Sequence, residues 1–239
     1  MTLVAILSGA GISTDSGIPD YRGPDGLWRR DPQAQKLVEY DSYMADPEIR
    51  RRSWLMRRDS STWQAKPNVA HRAVAGMEGR PGLAVRVITQ NVDGLHQQAG
   101  TPERKVLELH GSARSVVCTR CGARSTMAQA LERVAAGEED PACLACGGIL
   151  KSATVMFGQS LDPSVLAAAM AIAKASEVFI AVGTTLQVQP AASLVGLAVE
   201  HGARLWIVNA EPTPYDALAH DVIREPIGTS LPRLLEQLG

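Results

Sequence analysis

"SGAGISTDSGIPDYRG", residues 8–23, follows the apolar run "LVAIL" at residues 3–7, and the two together decide how the chain is read. Five apolar, partly β-branched residues bounded by glycine have the length and composition of a buried strand. Gly9 and Gly11 then break it. Glycines leaving a strand let backbone N–H groups approach a phosphate closely, and a helix starting there adds the positive end of its dipole. A nucleotide crevice is the expectation. The dinucleotide fingerprint is incomplete, because Thr14 stands where a third glycine packs helix on strand and no acidic residue closes an obvious second strand. On this stretch alone an ordinary strand–turn connection is the alternative. Residues 15–23 hold a second turn run (Ser16, Gly17, Pro19) and end in Asp20, Tyr21 and Arg22, which reads as a loop with chemistry on it.

The 239 residues suffice for one large domain or a large domain carrying a smaller module. A formal charge of −1 argues against a chain-wide attraction to nucleic acid or anionic membrane. Aromatic residues are only 4%, while Ala, Val and Leu are plentiful, which suits helices on a parallel sheet. No basic region with a long apolar stretch opens the chain, and no run of about 20 apolar residues follows. A cytoplasmic protein is expected.

Strand-like runs recur at residues 3–7, 85–89, 106–109, 178–182 and 205–208, most of them ending in Gly, Asn, Gln or His. Ligands of open α/β sheets bind at the carboxyl ends of the strands, so Gly9, Gln90, Asn91, His110, Gly183 and Asn209 are expected around one crevice. Helical patterns fill residues 47–58, 68–77, 126–136, 163–174, 191–201 and 231–238. All four cysteines fall within residues 112–151, which reads as an inserted module. Cys118-x-x-Cys121 and Cys143-x-x-Cys146 form two knuckle pairs, with Gly122, Gly147 and Gly148 just after them. Such pairs predict a zinc site, and four thiolates leave no open position, so the metal is structural. The competing readings are a disulfide pair, disfavoured inside cells, and unrelated buried cysteines.

"VITQNVDGLH" at residues 87–96 puts Gln90, Asn91 and Asp93 directly after a strand, an amide and a carboxylate suited to a carboxamide and a sugar hydroxyl. His110 ends the next strand, in "LELHG", where an imidazole is a candidate general base. With these motifs the chain resembles the sirtuins, the NAD-dependent protein-lysine deacylases, with some likeness to the mitochondrial-type branch. The resemblance also rests on "VMFG" at residues 155–158, "GTTLQVQPA" at 183–191 and "VNAEPT" at 208–213, and runs almost from end to end.

The resemblance implies an α/β fold: a Rossmann-like parallel sheet domain (about residues 1–24, 80–112 and 152–239) with an inserted small domain, helical over 25–79 and a zinc ribbon over 113–151. It implies NAD as co-substrate and one structural zinc. Gly9, Ala10, Gly11 and Ser13 would meet the phosphates. Asp20, Tyr21 and Arg22 would belong to a loop covering the nicotinamide ribose. Asn91 and Asp93, with Ile18, would form the nicotinamide pocket, Gln90 would hold a ribose hydroxyl, and His110 would be the base. Gly183, Thr184 and Thr185 would surround the phosphate and adenosine ribose, with Asn209 and Glu211 at the adenosine end. An acyl-lysine protein substrate would lie as an added strand between Val155, Met156, Phe157, Gly158 and Gln159 on one side and Leu186 to Val188 on the other. No membrane, specific nucleic-acid partner or oligomer is implied.

The chain departs from the family pattern in places. Tyr21 stands where many sirtuins have Phe, and Lys151, Ser152 and Gln159 replace an Arg-Pro pair and an acidic residue, which bears on substrate preference. Relatives favouring succinyl or malonyl groups carry Tyr with Arg three residues on, whereas "RRSWLMRRD" offers Arg57 and Arg58 with Trp54 and Leu55. Deacetylation leads the readings. The rivals are removal of longer acyl groups, protein ADP-ribosylation, a non-catalytic NAD- or zinc-binding module and, last, a nucleic-acid-binding ribbon. Arg50, Arg51, Arg52, Arg57 and Arg58 read as a solvated helix face, and His71 and His96 as structural.

Overall fold

Side-chain alternation along one strand fixes both faces of the main sheet. The computed structural model describes residues 1–20 and 32–238. In it β1 (Thr2–Ser8) turns Ala5 and Leu7 to one face and Val4 and Ile6 to the other, all fully buried. The sheet is wholly parallel and runs β3 (Val106–Glu108), β2 (Leu83–Thr89), β1, β7 (Val178–Val182), β8 (Arg204–Val208), β9 (Asp221–Ile223). Strand order reverses between β1 and β7, the switch point at which doubly wound sheets open a crevice.

Helices cover both faces. α6 (Pro163–Ala175) and α7 (Ser193–Glu200) close the side that holds Ala5, Leu7, Phe179 and Ile207. α3 (Val69–Ala75) and α8 (Ile227–Glu236) close the side that holds Ile6, Val87, Ile180 and Val208. Local chemistry starts these helices where they start. Asp162 accepts the N–H groups of Ser164 and Val165 ahead of Pro163, and Asn68 accepts those of Ala70 and His71.

A second, antiparallel sheet, in the order β5 (Arg124–Thr126), β4 (Gly111–Cys118), β6 (Leu150–Thr154), carries the cysteines. Its core is shared with a helix from far upstream: Trp54 of α2 (Pro47–Arg58) packs with Val116, Met127, Val134 and Leu150, the middle two from α5 (Met127–Ala135). Arg50 of α2 reinforces the joint, with Nε 2.7 Å from Asp140 and one terminal nitrogen donating to the carbonyls of Tyr43 and Met44 in α1 (Tyr40–Ala45). Arg51 pairs with Glu48 and Arg58 with Asp59. These three arginines of α2 are thus paired, not gathered into a bare basic patch.

Several expectations are corrected. The helix after Gly9 is a 3-10 turn, Ala10–Ser16, ended by Gly17 at φ 83°, so no long helix dipole points from it. α8 begins at Ile227, before the expected residue 231, and carries Pro232 within it, a residue that reads in sequence as a helix start. α3, within the 25–79 segment expected in the small domain, packs on the large sheet through Ala70 and Val74. The short strands β5 and β9 carried no alternation long enough to be read. No described helix is long and apolar enough to cross a membrane.

Trp54 is fully buried, so Trp54→Ala should destabilise by about 3–5 kcal/mol. Urea unfolding read by far-UV circular dichroism would show this as a lower midpoint at an unchanged slope.

Candidate active site and zinc centre

The carboxyl ends of the strands meet as the alternation requires. Gly9 donates its N–H to Val182 (3.0 Å), Gly11 to Gly183 (2.9 Å) and Gly183 to Val208 (2.9 Å), so the loops after β1, β7 and β8 are tied backbone to backbone. A Cβ on Gly9 would stand 2.7 Å from the Gly183 carbonyl oxygen and one on Gly11 2.8 Å from the Gly183 Cα, while Gly183 itself sits at φ 60°. The first two glycines are therefore required by the approach of two loops, and their N–H groups are spent inside the protein.

Behind this seam lies a polar network. Ser13, fully buried, donates its hydroxyl to Asp93 Oδ2 (2.8 Å) and accepts from Asn91 Nδ2 (3.1 Å), which also donates to the Gly9 carbonyl (3.1 Å). Asp93 Oδ1 accepts the N–H of Leu95 (2.9 Å), the first residue of α4 (Leu95–Gln98). Gln90 Nε2 donates to Thr184 Oγ1 (2.9 Å), across the switch point. Ile18, Asp20 and Thr185 are half-buried. Tyr21 and Arg22 lie outside the described residues.

His110 donates Nδ1–H to the Gln90 carbonyl (2.9 Å), which fixes its tautomer and leaves Nε2 with the lone pair. Burial pushes its pKa below the ordinary value of 6.5, partly offset by that hydrogen bond. The result is a neutral, oriented base. Its carbonyl accepts the N–H of Val155 (2.8 Å), tying the base to the "VMFG" segment.

In that segment the amide hydrogens are largely committed. Phe157 donates to Val38 and accepts from Tyr40, both at 2.9 Å, and Met156 donates to Gln159 Oε1 at 3.0 Å. Gly158 stays open, with space where a Cβ would stand. Met156 is buried and Phe157 is 38% exposed. Across from it, Leu186 is a buried core residue at φ 54°, Val188 is half-buried and Gln187 is exposed. An added strand therefore has a shorter run of free donors here than the sequence suggests.

The loop beyond β8 shows what the sequence did not. Arg224 donates to the carbonyls of Asn209 (2.7 Å) and Glu211 (2.8 Å) and pairs with Asp216, which accepts from Thr213 (2.7 Å). Asn209 is buried, its amide on the Glu211 carbonyl (2.8 Å), while Glu211 is exposed. No motif marks Arg224, because its work is done across a turn on main-chain oxygens.

The four cysteine sulfurs converge at one point, all within 4.8 Å of one another, with Cys118–Cys146 at 3.5 Å and Cys121–Cys143 at 3.7 Å. Four Zn–S bonds of about 2.3 Å in a tetrahedron put sulfurs about 3.7 Å apart, so the set fits zinc. The knuckle glycines serve this packing: Gly122 and Gly147 take φ of 72° and 67°, and a Cβ on Gly148 would stand 3.0 Å from the Cys118 sulfur.

Residues 9–190 match the Sir2 family. The chain belongs to it. An NAD-dependent protein deacetylase 2 of Streptomyces coelicolor is 72% identical over 237 residues, covering 99% of this chain and 98% of that protein. An NAD-dependent protein deacetylase 1 of Pyrobaculum aerophilum is 43% identical, covering 97% and 88%. Among solved structures, a Sir2 protein with a p53 peptide and NAD+ superposes with a TM-score of 0.88 at 33% identity, covering 99% of this chain and 93% of that one. A Sir2 bound to acetylated peptide gives 0.85 at 31%, with the same coverage.

Within this Sir2 chain the departures at residues 151 and 152 are internal. Lys151 is buried, its ammonium donating to the carbonyls of Ser152 (2.8 Å) and Thr154 (2.7 Å), and burial pushes its pKa down to about 8. It braces β6 from inside. Native mass spectrometry is expected to find one zinc per chain, and Cys143→Ser or chelation should release it and melt the antiparallel sheet.

Proposed function

We propose that the chain is an NAD-dependent protein-lysine deacetylase, which moves the acetyl group to ADP-ribose and releases nicotinamide. The observation that carries this reading is His110: neutral, its Nδ1–H held by the Gln90 carbonyl, its Nε2 free beside the residues that end β2. NAD, when bound, supplies the glycosidic bond that breaks and the ribose carbon that takes the acyl oxygen. The donor set suits it. Asp93 uses one lone pair on each oxygen internally, which leaves acceptors for a carboxamide N–H. Asn91 and Ile18 complete that pocket, and Gln90 with Thr184 faces the ribose hydroxyls. With NAD bound, His110 Nε2 would accept the proton of a ribose hydroxyl and so activate that oxygen toward the acyl carbon. The acyl oxygen of the substrate is the first nucleophile, so no serine or cysteine nucleophile is needed.

Gly9, Gly11 and Gly183 shape the phosphate site, with Ala10 and Thr185 beside it, and Ser13 acts one step behind, through Asn91 and Asp93. Asn209 and Glu211 hold the adenosine end, braced by Arg224. The acetyl-lysine peptide enters between Gly158 and Gln187, beside Val155, Met156, Phe157, Leu186 and Val188. Cys118, Cys121, Cys143 and Cys146 hold a structural zinc, and a reducing compartment such as the cytoplasm suits four thiolates. The chain divides into the large parallel-sheet unit and a small unit built from α2 and the zinc ribbon.

Incubation of an acetyl-lysine peptide with NAD should yield free lysine and nicotinamide in equal amounts, and His110→Ala should lower the rate by 10²–10⁴-fold. Consumption of NAD with the acetyl mark intact would overturn the reading. Because the base acts when neutral and its pKa lies below 6.5, kcat/KM should hold level across neutral pH and fall only as acid protonates His110. Arg224→Ala should raise KM for NAD several-fold with little change in kcat.

A further inference from the structure

Two histidines that the chemistry above leaves idle are sealed behind the crevice. His71 and His96 are both essentially without solvent exposure, their rings 5.1 Å apart and edge to face. His71 Nε2 and His96 Nδ1 have no hydrogen-bond partner among the described residues. The other nitrogens are not idle. His96 Nε2 lies 2.9 Å from Ser8 Oγ, and Ser8 donates its hydroxyl to Thr89 Oγ1 (2.8 Å). With Ser8 donating to Thr89, His96 Nε2 carries the hydrogen. Thr89 Oγ1 in turn accepts the N–H of Asn91 (3.1 Å). The Ser8 carbonyl separately accepts the N–H of Gln90 (2.9 Å), a main-chain bond, so the hydroxyl row itself reaches the chain at Asn91. On the other side, His71 Nδ1 sits 3.0 Å from Asn68 Oδ1, and Asn68 Nδ2 donates to the Ile12 carbonyl (2.8 Å) and to Ser16 (3.0 Å).

We propose that His96 is a positioning residue for NAD cleavage: through Ser8 and Thr89 it fixes the backbone at Asn91, with the His71 ring of α3 packed edge to face against it. This rests on the deacetylase reading above. The physical reason is the freedom of hydroxyls. Ser8 and Thr89 could each point several ways, and a single fixed donor at His96 orders the row so that Thr89 presents a lone pair to Asn91. The imidazole serves because it stays uncharged: burial, together with nearby His71, pushes its pKa down to about 3. A cation here would turn Nδ1 into a second donor.

The test compares wild type with His96→Leu, which removes the donor, and His96→Gln, whose amide can reach Ser8. On thermally matched, zinc-loaded protein, His96→Leu should lower kcat for nicotinamide release at least 10-fold, with KM for the peptide nearly unchanged, and His96→Gln should recover most of it. Ser8→Ala combined with His96→Leu should be no worse than the poorer single variant, because both cut one chain. Unchanged kcat in folded His96→Leu, failure of Gln to rescue, or additive losses would overturn the proposal. Ring-nitrogen NMR supplies the arm independent of activity. His96 is expected as the neutral Nε2–H tautomer from pH 5 to 8, and an Nδ1–H tautomer would overturn the proposal even in an active enzyme. An inactive wild type that still shows Nε2–H on Ser8 would instead sink the deacetylase reading, and with it the assigned step, while leaving the buried chain in place.

Discussion

The contact on which the site depends is the backbone-to-backbone approach of the loops after β1 and β7. Gly11 donates to the Gly183 carbonyl at 2.9 Å, and Ile12 lies so near that a Cβ on Gly183 would stand 2.4 Å from its nitrogen. Side chains larger than hydrogen would part the loops. Once they touch, Gln90 reaches Thr184 and Asn91 reaches Gly9, and the ends of three strands act as one surface. The crevice then follows from the parallel order of the sheet, since only at the reversal between β1 and β7 do neighbouring connections leave towards opposite faces.

From that seam the chemistry is arranged in depth. The outermost layer is the free Nε2 of His110 and the amide of Gln90. Behind them Asn91, Asp93 and Ser13 hold one another, and behind those Ser8, Thr89 and His96 hold the main chain. Burial does different work at each depth. At His110 it lowers basicity modestly and keeps a proton acceptor ready at neutral pH, whereas at His96 it keeps the ring uncharged altogether.

The zinc module is coupled to this arrangement by packing more than by charge. Trp54 and Arg50 tie α2 to the ribbon, and the pairing of Phe157 with residues 38 and 40 ties the same region to the "VMFG" segment. The buried ammonium of Lys151 caps two carbonyls of its own strand, so its effect is on the stiffness of β6 and not on a surface charge.

The sequence by itself determined the local and the covalently spaced: the buried strands of the main sheet, the starts of α2, α3, α5 and α6 at Asp46, Asn68, Thr126 and Asp162, and the zinc set, because two Cys-x-x-Cys knuckles can close on one metal wherever the module sits. His110, Asn91 and Asp93 were legible because each follows a strand. What only the tertiary structure decided are relations between distant positions. The glycines after β1 answer to Gly183 as much as to any phosphate, Ser13 turns inward to Asp93, and Arg224 grips carbonyls 13 to 15 residues away. His96 meets Ser8 across 88 residues of chain. Periodicity and spacing report which face a residue takes along its own element, but a hydrogen bond between elements depends on how the sheet brings their ends together, and no local pattern encodes that.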